Sequence, residues 1–244
     1  MPIVKPDKVI DVNVVLGVLR PADPDDNERI HELAMEAERF SSAAVYEARI
    51  VEAIDGDSVT ISGDRVTIGG DSVTIGGDST ARSVTFHARP LSRLFQSGMT
   101  VYPYVATCGP GMAAYGESLT DPLEKYWWDI IMQNAVANAR KALFDEIGRI
   151  AGYTPVSANP GSIELWPITN QPALFSLIGD VEKLIGVVVT PSFLMRPLKS
   201  VSGIMFRGDG GFTHNCNLCD RANCEGRAAE FDAKLKAELE MSSL

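Results

Sequence analysis

The chain has 244 residues, of which 45% are hydrophobic, and a formal net charge of −10 at pH 7. This length and composition allow a sizeable buried core, and an acidic balance without a lysine and arginine stripe argues against nucleic acid and anionic membranes as partners. A basic partner or a cationic cofactor suits the chain better. The N-terminus lacks the apolar run of a secretory signal, and no stretch of about 18 apolar residues occurs, so we expect a cytoplasmic protein with reduced thiols.

The N-terminal part predicts a helix and a strand after a short apolar stretch over 11–20. The helix is expected to be capped by Asp26 or Asn27 and to end near Phe40. Its apolar residues recur at helical spacing, as Ile30, Leu33, Ala34 and Ala37. A β-like run over 45–54 follows it.

Residues 57–77 repeat a seven-residue unit three times, as DSVTISG, DRVTIGG and DSVTIGG. The pattern predicts a β-meander of five-residue strands joined by two-residue turns. The turns fall at 62–63, 69–70 and 76–77. In that register Val59 faces Val66 and Val66 faces Val73, so the valines and isoleucines share one face and the threonines the other. We interpret 55–80 as a structural insertion, with a binding surface as the alternative.

Beyond the repeats, strands and helices mix without regular βαβ order, which is typical of the α+β class. Asp121 and Pro122 occupy the favoured N-cap and N1 positions of a long helix that we expect to end near Ile150 and to form the spine of the domain. The other predicted elements are a helical turn over 90–98, strands over 99–107, 186–190 and 199–206, and helices over 171–178, 181–185 and 226–241. We therefore predict a mixed or antiparallel sheet with a long central helix and an inserted hairpin repeat.

Two blocks in the second half carry a family resemblance, PGSIELWPITNQPALFSLIG (160–179) and TPSFLMRPLKSVSG (190–203). They resemble the C-terminal activation domain of cobalamin-dependent methionine synthase and its stand-alone relatives. In that family a Pro-Gly-Tyr loop precedes a helix, and a Thr-x-Ser-Phe-x-Met-x-Pro stretch leads into Ser-Val-Ser-Gly. The matching positions are Pro160, Gly161, Thr190, Ser192, Phe193, Met195, Pro197 and 200–203. The strand over 99–107 and the long helix after it extend the resemblance more weakly toward most of the chain.

The resemblance implies a partner and a task. The family's domain docks on a corrinoid-carrying domain whose cobalt has slipped to Co(II), and it supplies S-adenosylmethionine for reductive methylation. We expect this chain to act on a separate corrinoid protein or cobalamin-dependent methyltransferase, with an electron donor such as ferredoxin or flavodoxin. The residues expected to contact the cofactor are Pro160, Gly161, Ser162, Met195, Lys199, Ser200, Val201, Ser202 and Gly203. Alternatively, Ser-Val-Ser-Gly is a place where two elements pack closely without a ligand.

The chain departs from the family at the nucleotide motif. The family has an arginine four residues before the glycine and an aromatic residue directly after it, where this chain has Ser157 and Ser162. A guanidinium clamp for the methionyl carboxylate and one adenine or ribose contact are therefore missing.

Three of the four cysteines lie within nine positions, as Cys216, Cys219 and Cys224. The C-x2-C pair is a common metal-chelate spacing. Cys108 ends a predicted strand, and we expect it to be exposed at the edge of the sheet as the fourth ligand, with His214 as the alternative. Because Co(II) must receive an electron at low potential, the corrinoid connection favours an iron-sulfur cluster over structural zinc. Uncoordinated thiols are the remaining alternative.

We predict an activation-domain-like unit over 1–213, followed by a cysteine-rich metal-binding loop and helix over 214–244. No GxSxG, HExxH, P-loop or GxGxxG motif occurs, so no catalytic residue is predicted. The first hypothesis is an accessory factor that binds a corrinoid protein and supports its reductive reactivation by passing an electron through the cluster. The alternatives are a non-catalytic corrinoid-protein binding module with structural zinc and an S-adenosylmethionine-binding activator.

Overall fold

The computed structural model describes residues 1–69, 72–76, 83–208, 211–224 and 227–240, without the side chains of 65–69, 72–76 and 240. In chain order the helices and strands are β1 (Ile3–Val4), α1 (Val12–Leu19), α2 (Pro24–Ala37), β2 (Ala43–Tyr46), β3 (Arg49–Asp55), β4 (Ser58–Ile61), β5 (Arg65–Gly69), β6 (Ser72–Gly76), β7 (Val84–His87), α3 (Arg89–Leu94), β8 (Thr100–Thr107), α4 (Pro110–Ser118), α5 (Pro122–Ala151), β9 (Pro155–Ala158), α6 (Gln171–Ile178), α7 (Val181–Ile185), β10 (Val188–Val189), β11 (Met195–Arg196), β12 (Ser200–Arg207) and α8 (Ala233–Glu240). Short 3-10 turns lie at Ile168–Asn170 and Asn215–Leu218.

Strand β8 is the centre of an antiparallel sheet. β12 pairs along one edge of β8, while β2 and β3 share the other edge. Pro103 lies in the middle of β8, where a missing N–H group normally costs a ladder hydrogen bond. Along this edge, residues 104–107 of β8 pair with β2, and residues 100–101 pair with β3. Pro103 lies between these two groups, where the partner strand changes. The Pro103 carbonyl accepts a hydrogen bond from the amide of Glu47 at 3.1 Å, so this junction tolerates a proline in a central strand.

Both faces of this sheet are buried, which explains the nearly continuous apolar run of β8. Alternate residues of β2 and β8 face opposite layers. One face packs on α5 through Tyr46, Tyr104, Ala106, Leu143 and Ile147. The other face packs on α6 and α7 through Val45, Val105, Ile178, Val181 and Ile185. Packing on both faces makes the sheet the middle layer of the fold.

Helix α5 is the long helix that the sequence predicts. The carboxylate of Asp121 accepts hydrogen bonds from the amides of Leu123 and Glu124 at 2.7 and 3.1 Å, as an N-cap does. Gly152 ends the helix in the left-handed region, with φ 73°. Its 30 residues span about 45 Å, enough to cross the whole sheet. The predicted α+β class with an antiparallel sheet and a long helix is confirmed.

The N-terminal helices differ from the expectation. Asp23 caps α2 and Pro24 takes its first position, so the helix begins before the predicted caps Asp26 and Asn27. The apolar stretch over 11–20 forms helix α1, which the sequence analysis did not predict. Its N-cap is Asp11, whose carboxylate accepts hydrogen bonds from the amides of Asn13 and Val14 at 3.1 and 3.4 Å.

The three repeats do not form one meander. Strand β4, from the first repeat, pairs with β3 and β7 and joins the main sheet, where Val59 lies opposite Ile54 and Phe86. The predicted pairing of Val59 with Val66 is therefore wrong. The second and third repeats form a separate hairpin in which Val66 pairs with Ile75 instead of Val73. The predicted turn residues Gly70 and Gly77 lie outside the described residues.

The C-terminal segment shares a core with the strands before it. Leu218, Leu235 and Leu239 belong to the same cluster of buried side chains as Phe206 and Trp166. The expected helix over 226–241 is represented within the described residues by α8. None of the described helices combines the length and apolarity needed to cross a membrane.

Gly203 lies where β12 packs closely against β9 and the residue after it. A Cβ atom there would lie 2.4 Å from Asn159 Nδ2 and 2.5 Å from the carbonyl oxygen of Ala158. We expect Gly203→Ala to lower the free energy of unfolding by about 1–3 kcal/mol, since β12 must move away from β9. Gly17→Ala is the control, because nothing lies within 4 Å in the middle of α1 and the change should add about 0.5–1 kcal/mol. Urea midpoints measure both; equal midpoints for Gly203→Ala and the wild type would contradict the packing argument.

Candidate functional site

A groove of about 810 Å³ lies between α4, the first half of α5 and the segment 186–199. Its apolar lining comes from Pro110, Ala113, Ala114, Trp128, Met132, Val188, Pro197 and Leu198. Its charged lining has both signs, from Glu117, Lys125, Asp129, Glu182, Arg196 and Lys199. An apolar interior with a few converging polar groups is the usual composition of a ligand site.

One wall of the groove is built from the second family-like block. β10 and β11 form a short hairpin whose loop is closed by Thr190. The Thr190 hydroxyl donates to the carbonyl of Leu194 at 3.0 Å and accepts from the amide of Leu194 at 3.2 Å. Phe193 has φ 64° in this loop, a conformation that costs free energy for a residue with a side chain. Thr190 and Phe193 therefore hold the loop of the hairpin that carries Val188 and Arg196 of the wall.

The wall continues through Leu198 and Lys199 into β12. The Lys199 ammonium forms an ion pair across the groove with the Asp129 carboxylate at 2.8 Å. The Lys199 carbonyl accepts from the amide of Cys108 at 3.0 Å, which fixes the main chain here. Leu198 is 59% exposed and Leu194 is 45% exposed, so two large apolar side chains stand in water beside the groove. Such side chains suit a docking surface.

The Pro160 turn lies beside β12 and rests on a buried polar network. The hydroxyls of Ser157 and Tyr104 are 2.9 Å apart, and Asn159 donates to the Tyr104 hydroxyl at 2.9 Å. Asn159 also donates to the carbonyl of Ser202 at 2.5 Å. Sequence reasoning missed Asn159, although a polar residue between a buried strand and Pro-Gly is a signal of such a role.

The predicted cofactor residues divide into buried and accessible groups. Ser202 is buried and its hydroxyl donates to Gln171 at 2.9 Å, and Gly203 is buried against Asn159. Ser202 and Gly203 therefore fit the alternative interpretation, in which two elements pack closely without a ligand. Pro160 is also buried, whereas Met195, Lys199, Ser200 and Val201 are half-buried, and Gly161 and Ser162 are exposed. Of these residues, Lys199 lines the groove.

Cys108 is not exposed, which corrects the sequence-based expectation. Its side chain belongs to the buried cluster that contains Val15 of α1, Met112 of α4 and Trp128 of α5. The expectation failed because α1 and α4 cover the end of β8. Burial raises the pKa of the Cys108 thiol to about 11, so the protonated thiol is the stable form at neutral pH.

The other three cysteines are half-buried in the C-terminal loop. His214, the alternative ligand, accepts a hydrogen bond at Nδ1 from the amide of Cys216 at 3.1 Å and thereby caps a turn. Across the described part of the chain, no three or more His, Cys, Asp or Glu side chains are arranged to hold a metal ion. The described residues therefore do not assemble the predicted four-cysteine set.

The buried thiol predicts a pH dependence of stability. Between about pH 8.5 and 11 the unfolded chain loses the Cys108 proton while the folded chain keeps it, so the free energy of unfolding falls as pH rises. The thiol contributes about 2–3 kcal/mol to that fall. Urea unfolding of the wild type and Cys108→Ala at pH 8, 9, 10 and 11 isolates this contribution, because the two proteins share every other ionisable group. Parallel curves for the two proteins would contradict the prediction.

The comparisons with known proteins concern the fold. The sequence matches no protein-family model and no curated protein. Among solved structures, the chain is similar to the MetH reactivation domain bound to AdoHcy, with 17% sequence identity and a TM-score of 0.57. The match covers 84% of this chain and 76% of that chain. The chain therefore has the fold of that reactivation domain, to which it is related distantly in structure.

Proposed function

We propose that this chain is an accessory factor that docks on a corrinoid-carrying protein and supports the reductive reactivation of its cobalt from Co(II). One observation carries the proposal: the segment that resembles the activation domain forms a wall of the groove, in a chain with the fold of the MetH reactivation domain. The groove is the binding surface in this proposal, and the Pro160 turn and the buried network hold its wall in place.

The lining of the groove suits a corrinoid. A corrin ring is a flat, largely apolar disc with amide arms around its edge. The small side chains of Ala113 and Ala114 leave open space along the apolar part of the lining, and the charged rim can exchange hydrogen bonds with amides. Leu194 and Leu198 beside the groove offer apolar contacts to the protein that carries the corrinoid.

The Lys199 and Asp129 pair gives the groove an adjustable polar contact. Their side chains are 28% and 49% exposed, so the pair adds little to stability and opens at small cost. An opened pair presents one ammonium donor and one carboxylate acceptor to an amide or phosphate group of the bound corrinoid. Lys199 in this way orients the ligand without taking part in electron transfer.

The proposal assigns no step to an iron-sulfur cluster or a zinc ion. Cys108, the expected fourth ligand, is a buried protonated thiol packed with Val15 and Met112. The electron that reduces Co(II) therefore comes from a separate donor of the ferredoxin or flavodoxin class. A non-catalytic binding module is the second candidate function, favoured by the exposed side chains of Leu194 and Leu198, which suit contact with a protein partner.

The residues at the Pro160 turn do not fit the S-adenosyl ligand of the solved neighbour. Ser157 takes the place of the family's arginine and is 2% exposed, with its hydroxyl bound to Tyr104. Ser162 takes the place of the aromatic residue, and the Gly161 amide already donates to the carbonyl of Trp166 at 2.7 Å. We therefore propose that this chain acts without S-adenosylmethionine.

Filling the groove tests docking. Ala114 is an exposed lining residue of α4, and Ala114→Trp should weaken binding at least about tenfold, or about 1.4 kcal/mol, because the indole occupies the space of the ligand. Ala137→Trp is the matched control, since Ala137 is exposed on α5 and lines none of the described cavities. Calorimetry uses the corrinoid-carrying domain of a methionine synthase, loaded with cob(II)alamin or empty.

Two outcomes of that titration contradict the docking proposal: equal weakening by both tryptophans, and equal affinity for the loaded and the empty domain. The same complexes then receive reduced flavodoxin, and the visible absorbance of Co(II) is followed over time. Faster loss of Co(II) with the wild-type chain supports reactivation. Tight docking with an unchanged rate supports the binding module.

A separate titration tests the nucleotide. We expect no saturable heat when AdoHcy is added to this chain up to about 1 mM, because neither a guanidinium nor an exposed aromatic ring stands at the matching turn. The MetH reactivation domain is the positive control under the same conditions. Saturable binding to this chain would contradict the proposal, and tighter binding by a Ser162→Tyr variant, which restores the family's aromatic residue, would make the turn a nucleotide site.

A further inference from the structure

The three clustered cysteines surround one arginine. The guanidinium of Arg227 donates to the carbonyl of Cys216 at 3.5 Å and to the carbonyl of Cys219 at 3.3 and 3.4 Å. The backbone amide of Arg227 donates to the carbonyl of Cys224 at 3.2 Å. A single residue thus contacts the main chain at all three cysteines and draws them into one compact loop.

Cys216 and Cys219 are joined by a tight turn. The amide of Cys219 donates to the carbonyl of Cys216 at 3.2 Å, which closes the 3-10 turn Asn215–Leu218. A turn closed between residues i and i+3 keeps their Cα atoms within about 7 Å. Disulfides span Cα separations of about 4.4–6.8 Å, so this turn can accept a disulfide with little movement of the main chain.

Asn217, between the two cysteines, holds the turn in place. Its side-chain oxygen accepts from the amides of Thr213 and His214 at 3.0 and 2.9 Å. Its side-chain nitrogen donates to the carbonyl of Glu230 at 2.9 Å, and its own carbonyl accepts from the amide of Asp232 at 2.9 Å. These bonds involve no sulfur atom, so the turn keeps its support whichever state the thiols adopt.

Exposure separates this pair from the fourth cysteine. Cys216 and Cys219 are half-buried and accessible to a small reagent, whereas Cys108 is buried in the core. Access to the sulfur is required for exchange with an external disulfide. The loop therefore combines a suitable separation of the two cysteines with side chains that are not sealed in the core, as an exchanging dithiol requires.

We propose that Cys216 and Cys219 are a redox-active dithiol that forms a reversible disulfide by exchange with low-molecular-weight disulfides. One cysteine attacks the external disulfide, forms a mixed disulfide and releases one thiol. The second cysteine attacks the mixed disulfide and releases the second thiol. The two cysteines together lose two electrons and two protons, and the external disulfide is reduced to two thiols.

The dithiol adjoins the network behind the groove wall. Asn215, the residue before Cys216, donates to the side-chain oxygen of Asn159 at 2.5 Å. Asn159 in turn donates to the carbonyl of Ser202 in β12. This inference stands independently of corrinoid docking, since it rests on the loop alone.

Peptide mapping of the full chain tests the proposal. Trypsin cleaves after Arg207, Arg221 and Arg227, so Cys216 and Cys219 share the peptide 208–221, while Cys224 lies in 222–227. The anaerobically purified protein is treated with oxidised glutathione, acid-quenched, unfolded, alkylated and digested. We expect the peptide 208–221 to appear unalkylated and two hydrogens lighter, and dithiothreitol to restore its double alkylation.

Variants identify the partners. Cys224→Ser is the matched control and should keep the light peptide, whereas Cys216→Ser and Cys219→Ser should lose it at least tenfold and accumulate the mixed glutathione disulfide on the remaining cysteine. A predominant cross-link between 208–221 and 222–227 would overturn the assignment. So would stoichiometric iron or zinc that leaves all three thiols unreactive toward glutathione disulfide.

Discussion

The close approach of β12 to Asn159 is the contact on which the rest of the site depends. The side chain of Asn159 fills the space that a Cβ atom of Gly203 would take, and it bonds the carbonyl of Ser202. Because buried amide groups are costly to leave unpaired, this contact sets the position of β12 against β9. The groove wall is the direct continuation of β12 through Lys199, so its geometry follows from a buried polar contact outside the groove.

The second family-like block therefore serves two physical purposes within one short stretch. Its end, Ser202 and Gly203, packs inside the sheet, where small side chains let two strands and an amide come together. Its beginning, around Leu194 and Leu198, stands in water beside an open groove. A stretch that combines both can transmit the rigidity of the sheet to the docking surface proposed above, which would reduce the ordering cost of binding.

Local signals predicted the elements that depend on local chemistry. Local signals allowed direct prediction of the start of α5 at Asp121 and Pro122, and of helices α6 and α7, which each end at a glycine, because caps act within a few residues.

The choice of strand partners could not be predicted from such local signals. Nearly identical repeats ended in different sheets because β3 and β7 supply neighbours to β4 alone. Cys108 was misplaced for a similar reason, since its cover comes from α1, whose stretch was not assigned as a helix. Lys199 could be singled out from the sequence as a candidate cofactor contact, but its ion-pair partner Asp129 could not, because the two residues are distant in sequence.

The central position of β8 has a consequence for synthesis of the chain. β8 pairs with β12 from Thr107 opposite Ser200 onward, so one edge of the middle strand has no partner until β12, about 90 residues later in the chain, has been made. At about 5–20 residues per second, translation of the intervening stretch takes about 5–20 s. During that time a strand of apolar residues presents an open edge, the kind of surface that recruits other strands. Chaperone protection of the nascent chain would matter most in that interval.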